Sequence, residues 1–297
     1  MQEQTSSSNS AVLPRRPYGD TGIALSVIGF GGIVVTDTEQ TEANRTVAEA
    51  VERGCNYFDV APGYGTAEEI LGPALEPYRK DVFLACKTAQ REREGAEMEF
   101  KRSLERLRTD HFDLYQLHGI TSVENDVDPV FKPGGVMDMI VELKKAGKIR
   151  YIGFSAHSHE AALTAMDRFD FDSILFPINF TSYYQGGFGG EVIARAKEKG
   201  VARLALKAMA KQLWSEGHPE RGRLNKCWYE PLYGPAEAEM GLRWTLSQEV
   251  TAAVPPGDAG LFRMAMDFAQ RFEPVTPEEE QQLEAYARSL KPIFTHA

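Results

Sequence analysis

Short apolar runs alternate with longer amphipathic segments along most of the chain, at a spacing of about 25–35 residues. Eight of these runs predict strands, at 27–30, 57–60, 82–86, 114–117, 151–154, 174–178, 201–206 and 250–254. Because strand and helix alternate, we expect the strands to pair in parallel, with helices covering the sheet.

The segments between the runs repeat their apolar residues at the helical period. Helices are predicted at 42–53, 98–107, 136–145, 191–199, 236–246 and 261–268. Gly54, Gly147 and Gly200 follow three of these segments, where glycine readily adopts the left-handed conformation that ends a helix. Thr276 and Pro277, followed by two glutamates, predict the start of one further helix near the C-terminus.

Eight strand–helix units favour one (β/α)₈ TIM barrel over residues 15–297, with an N-terminal β-hairpin around the turn at 19–22 and an extra C-terminal helix. An open doubly wound sheet is the alternative, and length alone also permits two domains. The Ser- and Gln-rich residues 1–14 predict a disordered tail and lack the apolar core of a secretory signal. No apolar run approaches the roughly 18 residues of a membrane span.

Composition narrows the classes of function. Of the 297 residues, 42% are hydrophobic, and the formal net charge of -10 disfavours nucleic acid as a partner. The three cysteines, Cys55, Cys86 and Cys227, have neither the paired spacing of a metal site nor an even disulfide framework. They are expected to be buried free thiols, which fits a cytoplasmic location.

Two connections, 119–135 and 211–235, are longer than plain turns require. Both follow predicted strands, so in a barrel both would lie on the C-terminal rim, where active sites are built. The second contains Trp214, Trp228, Tyr229 and Tyr233. These rings could line a substrate pocket or could anchor the loop by packing, and the sequence leaves both interpretations open.

Four polar residues end successive strands or begin the loops after them. Asp59 follows the run CNYF, Tyr64 lies in APGYG, Lys87 closes VFLACK, and His118 closes DLYQLH. Because the carboxyl ends of parallel barrel strands meet on one face, we expect these four side chains to surround one point. Each residue alone would have an ordinary structural explanation; their occurrence on three successive strand ends is the functional signal.

These residue types together can form a general acid. A free tyrosine has a pKa of about 10, and a neighbouring ammonium favours its phenolate. Lys87 would therefore lower the pKa of Tyr64, while Asp59 would keep Lys87 charged and in place. His118 would hydrogen-bond a substrate oxygen. General acid catalysis of this kind contributes about 10²–10⁴-fold.

The segments FDVAPGYG, FLACKT and LYQLHG resemble the catalytic segments of the aldo-keto reductases, and the resemblance extends over about residues 16–272. It implies hydride transfer from a reduced nicotinamide to a small aldehyde or ketone. Residue by residue, the family's catalytic aspartate, tyrosine, lysine and histidine fall on Asp59, Tyr64, Lys87 and His118, with Tyr64 as the proton donor.

The resemblance also implies cofactor contacts. Ser155 and Asn179 stand where the family binds the nicotinamide amide, and Arg263 matches the arginine for the 2′-phosphate of NADPH. The remaining cofactor residues are Gly31 and Gly32, on the loop after the first strand, and Lys207, which could reach a phosphate.

Three departures from the family pattern qualify this assignment. Ala156 replaces a frequent asparagine, and Leu206 stands where many members stack an aromatic ring on the nicotinamide. Asp258 replaces a small hydroxyl residue, and a carboxylate there would repel a phosphate. NADPH is still the predicted cofactor, with NADH possible.

The sequence also permits functions other than a reductase. The same barrel could be a cofactor-binding sensor or regulatory protein with little turnover. A metal-dependent hydrolase or lyase could use Asp59, His118, His157 and His159, but the Lys87 ammonium beside a divalent cation argues against it. The segment 29–32 resembles half of a dinucleotide-binding glycine motif but lacks the last glycine and the following helix.

Overall fold

The computed structural model of the protein describes residues 12–296. Residues 1–11 of the predicted tail therefore lie outside the described residues. Leu13 is buried, and its backbone N–H donates to the carbonyl oxygen of Arg53 at 2.9 Å. Leu13 therefore packs with the barrel although it lies before residue 15, the start predicted for the barrel domain.

Eight of the strands form a barrel. In the described part of the chain the strands are β1 (Arg15–Pro17), β2 (Ala24–Ser26), β3 (Phe30–Gly31), β4 (Tyr57–Asp59), β5 (Phe83–Thr88), β6 (Phe112–Ile120), β7 (Ile149–Ala156), β8 (Ser173–Pro177), β9 (Ala202–Leu206), β10 (Ala210–Gln212), β11 (Glu230–Pro231) and β12 (Ala252–Val254). Neighbours β3 to β9 pair in parallel in chain order, and β12 pairs with β9. A parallel bridge between Ile28, two residues before β3, and Ala253 of β12 joins the two ends of this sheet. The predicted barrel is confirmed, and the open sheet is excluded.

Helices cover the outside of the barrel. They are α1 (Gln40–Glu52), α2 (Ala67–Leu75), α3 (Arg93–Arg106), α4 (Asp128–Val130), α5 (Val136–Lys145), α6 (His159–Arg168), α7 (Phe180–Tyr184), α8 (Gly190–Glu198), α9 (Pro235–Ser247), α10 (Ala259–Gln270) and α11 (Pro277–Ala287). The predicted C-terminal helix is α11, and Thr276 caps it by accepting from the N–H of Glu279. Helix α2 was not predicted, because Gly72 and Pro73 weaken its helical pattern.

The N-terminal hairpin of β1 and β2 closes one end of the barrel. The fully buried Tyr18 donates from its hydroxyl to Ser173 Oγ at 2.8 Å, at the start of β8. Its ring lies 5.2 Å from that of Phe83, at the start of β5, and 5.4 Å from that of Tyr151. Since these contacts lie at the amino ends of the strands, the opposite, carboxyl end is the one left for a binding site.

Both long connections contain some regular structure. The first includes a π-helical turn, Val123–Val127, followed by α4. In the second, β10 pairs antiparallel with β11, which folds the loop back over the barrel rim. The three cysteines are buried and free, as expected. Among residues 12–296, no helix combines the length and the hydropathy needed to cross a membrane.

We expect Gly72→Ala to destabilise the protein, although alanine is the better helix former. A Cβ at Gly72 would overlap the carbonyl oxygen of Arg106 and lie 2.9 Å from the Cα of Leu107, where α2 packs against α3. The expected loss is about 1–3 kcal/mol of unfolding free energy, measured by urea denaturation. Gly222→Ala is the matched control, because a Cβ there meets nothing within 4 Å. Equal stability of both variants would contradict the prediction.

Candidate active site

Three of the four predicted catalytic residues lie at the carboxyl ends of adjacent strands. Asp59 ends β4, Lys87 lies one residue before the end of β5, and His118 lies near the end of β6. Tyr64 lies on the turn before α2, and its carbonyl oxygen accepts from Thr36 Oγ1 at 3.0 Å. The barrel geometry therefore brings all four side chains to the rim opposite the hairpin.

Asp59 and Lys87 form an ion pair inside the barrel. Lys87 is fully buried, and its Nζ donates to Asp59 Oδ1 and, at 3.2 Å, to the carbonyl oxygen of Val60. The other oxygen of Asp59 accepts from Tyr57 Oη and from Gln116 Nε2, each at 3.0 Å. Burial lowers the pKa of Lys87, but Asp59 outweighs it, so the net pKa lies above the ordinary value. Lys87 is therefore charged throughout the physiological range.

Tyr64 lies directly beside this ammonium. Lys87 Nζ is 5.1 Å from the centroid of the Tyr64 ring. Burial raises the pKa of Tyr64, and Lys87 opposes that rise without reversing it. Lys87 thus acts in the expected direction, but the net pKa of Tyr64 lies above its ordinary value because the effect of burial is larger. The phenol is fully protonated at neutral pH.

His118 packs against Tyr64 as a neutral imidazole. The two ring centroids are 5.6 Å apart, and the planes are nearly perpendicular at 85°. Burial, together with Lys87 and the neighbouring His157, lowers the pKa of His118 to about 3. Burial and Lys207 lower the pKa of His157 to about 4. Both rings are thus uncharged near neutrality and can exchange hydrogen bonds with a polar ligand.

These groups face a cavity of about 270 Å³ on the rim. Its lining includes Gly31, Asp59, Tyr64, His118, Ser155, His157, Lys207, Trp228, Tyr229 and the segment 254–257. The second long loop therefore contributes to the pocket through Trp228 and Tyr229. Trp214 does not line the cavity and instead anchors the loop, because its Nε1 donates to the carbonyl oxygen of Cys227 at 2.9 Å.

The residues predicted to hold the cofactor divide into two groups. Gly31, Ser155 and Lys207 line the cavity, whereas Gly32, Asn179 and Arg263 do not. Gly32 is required for packing, because a Cβ there would lie 2.7 Å from Cγ2 of Val60.

Asn179 and Arg263 have structural partners. Asn179 Oδ1 accepts from the N–H of Ser182 at 2.9 Å and caps α7, while its buried Nδ2 has no partner among the described residues. Arg263 Nε donates to Glu49 Oε2 at 2.8 Å. Asp258, the unexpected carboxylate, caps α10 by accepting from the N–H of Leu261 at 2.9 Å.

Sequence reasoning missed two residues that hold Asp59, namely Tyr57 and Gln116. The sequence contained a signal for both residues, because every second residue of a strand points to the same face of the sheet. Tyr57 is two residues before Asp59 on β4, and Gln116 is two residues before His118 on β6. Polar residues at these spacings on inward-facing strand positions predict a buried hydrogen-bond network.

The metal-dependent alternative does not fit the donor set. Asp59 already accepts from three side-chain donors, one of them the Lys87 ammonium. His159 lies elsewhere, near Glu191 and His296, in the one close group of three potential ligands within residues 12–296. Its Nε2 accepts from the N–H of Gly189 at 2.6 Å, so a neutral ring carries its proton on Nδ1 and offers no free lone pair.

Comparison with known proteins identifies the family. The model of the Aldo/keto reductase family matches residues 27–232. The Uncharacterized oxidoreductase YqkF of Bacillus subtilis (strain 168) is 36% identical over 156 residues, which cover 48% of this chain and 48% of that protein. The L-galactose dehydrogenase of Arabidopsis thaliana is 29% identical over 223 residues, covering 69% and 68%. The chain therefore belongs to the aldo/keto reductase family, although its match spans about half the length of YqkF.

A solved structure supports the same fold. The aldo-keto reductase AKR11C1 from Bacillus halodurans, in its holo form, superposes with a TM-score of 0.73. The alignment covers 95% of this chain and 98% of that one at 24% sequence identity. At this identity the likeness establishes the barrel architecture, and the chemistry has to be argued from the site.

The low pKa of His118 predicts a pH-dependent stability. The unfolded chain takes up a proton at this residue below about pH 6.5, whereas the folded site does so only near pH 3. The contribution of neutral His118 to the unfolding free energy is therefore complete above pH 6.5 and is lost as the pH falls toward 3. The loss from this group is up to about 1.4 kcal/mol per pH unit. His118→Gln should make the slope of unfolding free energy against pH shallower between pH 6.5 and 4.5.

Urea denaturation at several pH values measures this slope. His157→Gln is the companion variant, and its slope should also be shallower than that of the wild type, because His157 has a pKa of about 4. Identical slopes in the wild type and both variants would show that neither imidazole is held neutral by the fold.

Proposed function

We propose that this chain is a nicotinamide-dependent reductase of aldehydes or ketones in which Tyr64 is the proton donor. The observation that carries the proposal is the Asp59–Lys87 ion pair placed beside the Tyr64 phenol at the mouth of a cavity. Membership of the aldo/keto reductase family supports it, because that family uses nicotinamide cofactors to reduce carbonyl compounds.

The residues around the cavity suit a nicotinamide. Gly31 leaves room on one wall, and Ser155 presents a hydroxyl whose oxygen accepts from the N–H of Gly119 at 2.8 Å. Asn179 lies outside the cavity lining, and its buried Nδ2, which has no partner among the described residues, is an amide donor that a carboxamide oxygen could satisfy. A reduced nicotinamide supplies the hydride when bound, and the chain's residues handle the proton.

In this proposal, proton transfer depends on which groups of the site are protonated before the reaction. Tyr64 begins as a protonated phenol, since burial keeps its pKa high. It donates its proton to the substrate oxygen as negative charge develops there, and Lys87 stabilises the phenolate that remains. Asp59 keeps Lys87 charged. Neutral His118 hydrogen-bonds the substrate oxygen and directs the carbonyl toward Tyr64.

NADPH is the preferred cofactor in this proposal, with NADH as the alternative. Arg263 is partly exposed, and its guanidinium is held by Glu49 rather than by a buried partner. It is therefore free to exchange that carboxylate for a 2′-phosphate. Asp258 is occupied as the cap of α10, although its charge still opposes a nearby phosphate.

We expect Tyr64→Phe to reduce carbonyl turnover by about 10²–10⁴-fold while leaving NADPH binding within about twofold. The variant removes the donated proton and keeps the ring against His118. Steady-state reduction of a reactive aldehyde and fluorescence titration of NADPH measure the two effects.

Tyr78→Phe, on the turn after α2, is the control and should retain full turnover. Near-normal activity of Tyr64→Phe would remove Tyr64 from the mechanism. Failure of the wild type to oxidise bound NADPH with any aldehyde in stopped-flow mixing would instead favour the sensor function.

Arg263→Ala should weaken NADPH binding by at least about tenfold and NADH binding by much less, because only NADPH carries the 2′-phosphate. Dissociation constants for both cofactors provide the measurement. Glu49→Gln is the control, since it releases Arg263 from its carboxylate and should not weaken NADPH. Equal losses for the two cofactors in Arg263→Ala would mean that Arg263 does not contact the 2′-phosphate.

A further inference from the structure

Lys207 has an unusual backbone conformation at the rim of the site. It follows β9 directly, and its φ of 62° lies in the left-handed region that non-glycine residues rarely adopt. Such a conformation costs about 1–3 kcal/mol and persists only where the surrounding structure enforces it. The chain thus keeps a long cationic side chain at a position where glycine would be easier to accommodate.

The ammonium of Lys207 is held by aromatic rings alone. Its Nζ lies 5.4 Å from the ring centroid of Trp228 and 5.0 Å from that of Tyr229. Within residues 12–296 it has neither an ion pair nor a hydrogen-bond acceptor. Burial lowers its pKa to about 8. A partly desolvated cation without an anion is a group that an anionic ligand would stabilise.

Lys226 is the other lysine that lines the cavity, and its Nζ donates to the carbonyl oxygen of Val34 at 2.9 Å. Lys87 lies outside the lining and is paired with Asp59. Asp59 is the one carboxylate lining the cavity in the part of the chain described, and it is fully engaged. Lys207 is therefore the lysine of the lining whose ammonium has neither an ion pair nor a hydrogen-bond acceptor among the described residues.

Lys207 lines the same cavity as the proposed proton donor. The lining also includes Tyr64, His118 and His157. Trp228, whose ring lies near the ammonium, belongs to the long loop that borders this cavity and is 52% exposed. An anion bound at Lys207 would therefore occupy the cavity that Tyr64 and His118 face.

We propose that Lys207 binds an anionic group of the substrate, so that the chain reduces carbonyl compounds that carry a carboxylate or a phosphate. This inference rests on the proposed reductase function. Trp228 and Tyr229 hold the ammonium in position from one face, and the substrate anion supplies its missing partner from the open side. A phosphate of the cofactor is the other possible source of such an anion, and the experiment separates the two.

The test compares Lys207→Met with Lys207→Arg. Methionine removes the charge at similar length and keeps a side chain in the left-handed conformation, while arginine retains the charge. Each variant is assayed with succinic semialdehyde against neutral butanal, and with glyceraldehyde 3-phosphate against glyceraldehyde. The wild type should favour at least one anionic aldehyde over its neutral counterpart in kcat/KM by about 10–100-fold, mainly through KM.

In Lys207→Met, kcat/KM should fall at least about tenfold more for the anionic aldehyde than for its neutral counterpart, and Lys207→Arg should keep most of the preference. Cofactor dissociation constants, measured by fluorescence titration, should change less than about twofold. A wild type with no preference for either anionic aldehyde overturns the proposal. The proposal is also overturned if Lys207→Met binds both cofactors more weakly and its kcat/KM falls equally for anionic and neutral aldehydes. The anion at Lys207 would then be the cofactor's phosphate.

A binding measurement separates this proposal from the reductase function itself. Succinate and inorganic phosphate are titrated calorimetrically into the wild type and Lys207→Met, each alone and with saturating NADP⁺. Binding of either anion to the wild type that weakens about tenfold or more in Lys207→Met supports the anion site even if no aldehyde is reduced. Absent or equal binding in both proteins overturns it, whatever the turnover.

Discussion

The buried ion pair between Lys87 and Asp59 is the interaction on which the site depends. Removing two charges from water is costly, and a pair of this kind is tolerated only when its remaining hydrogen-bonding capacity is satisfied. Here Tyr57, Gln116 and the carbonyl oxygen of Val60 complete it. Tyr57 lies on β4, Val60 directly follows it, and Gln116 lies on β6. The pair therefore depends on the parallel pairing of β5, which carries Lys87, between β4 and β6.

The same pair determines the charge states around it. A fixed ammonium beside Tyr64 stabilises a phenolate without producing one in the resting protein, where burial keeps the phenol protonated. Burial, and after it this ammonium, lowers the pKa of His118, which is therefore neutral. The result is a protonated phenol next to a neutral hydrogen-bonding group, an arrangement that would suit a substrate oxygen that gains negative charge.

The charge of the cavity differs from that of the whole protein. The chain carries a formal net charge of -10, yet the cavity is lined by Lys207 and Lys226, with Asp59 as the one acidic residue in that lining and already paired with Lys87. Ligands that enter are expected to be anionic, both because a dinucleotide carries phosphates and because Lys207 has no anion of its own. The net negative charge of the whole chain therefore does not determine the charge of the cavity, which depends on the few residues that line it.

Much of the fold, and the positions of Asp59, Lys87 and His118 near the ends of adjacent strands, followed from the sequence alone. The periods of apolar residues specify strands and helices locally, and their strict alternation leaves few topologies besides a parallel barrel. Tertiary structure decided the rest, because it depends on groups distant in the chain. Burial against the cavity set the pKa of Tyr64, Glu49 on α1 engaged Arg263 on α10, and the fold of the second loop brought Trp228 beneath Lys207. Desolvation and long-range pairing arise only after the chain has closed, so no local pattern could reveal them.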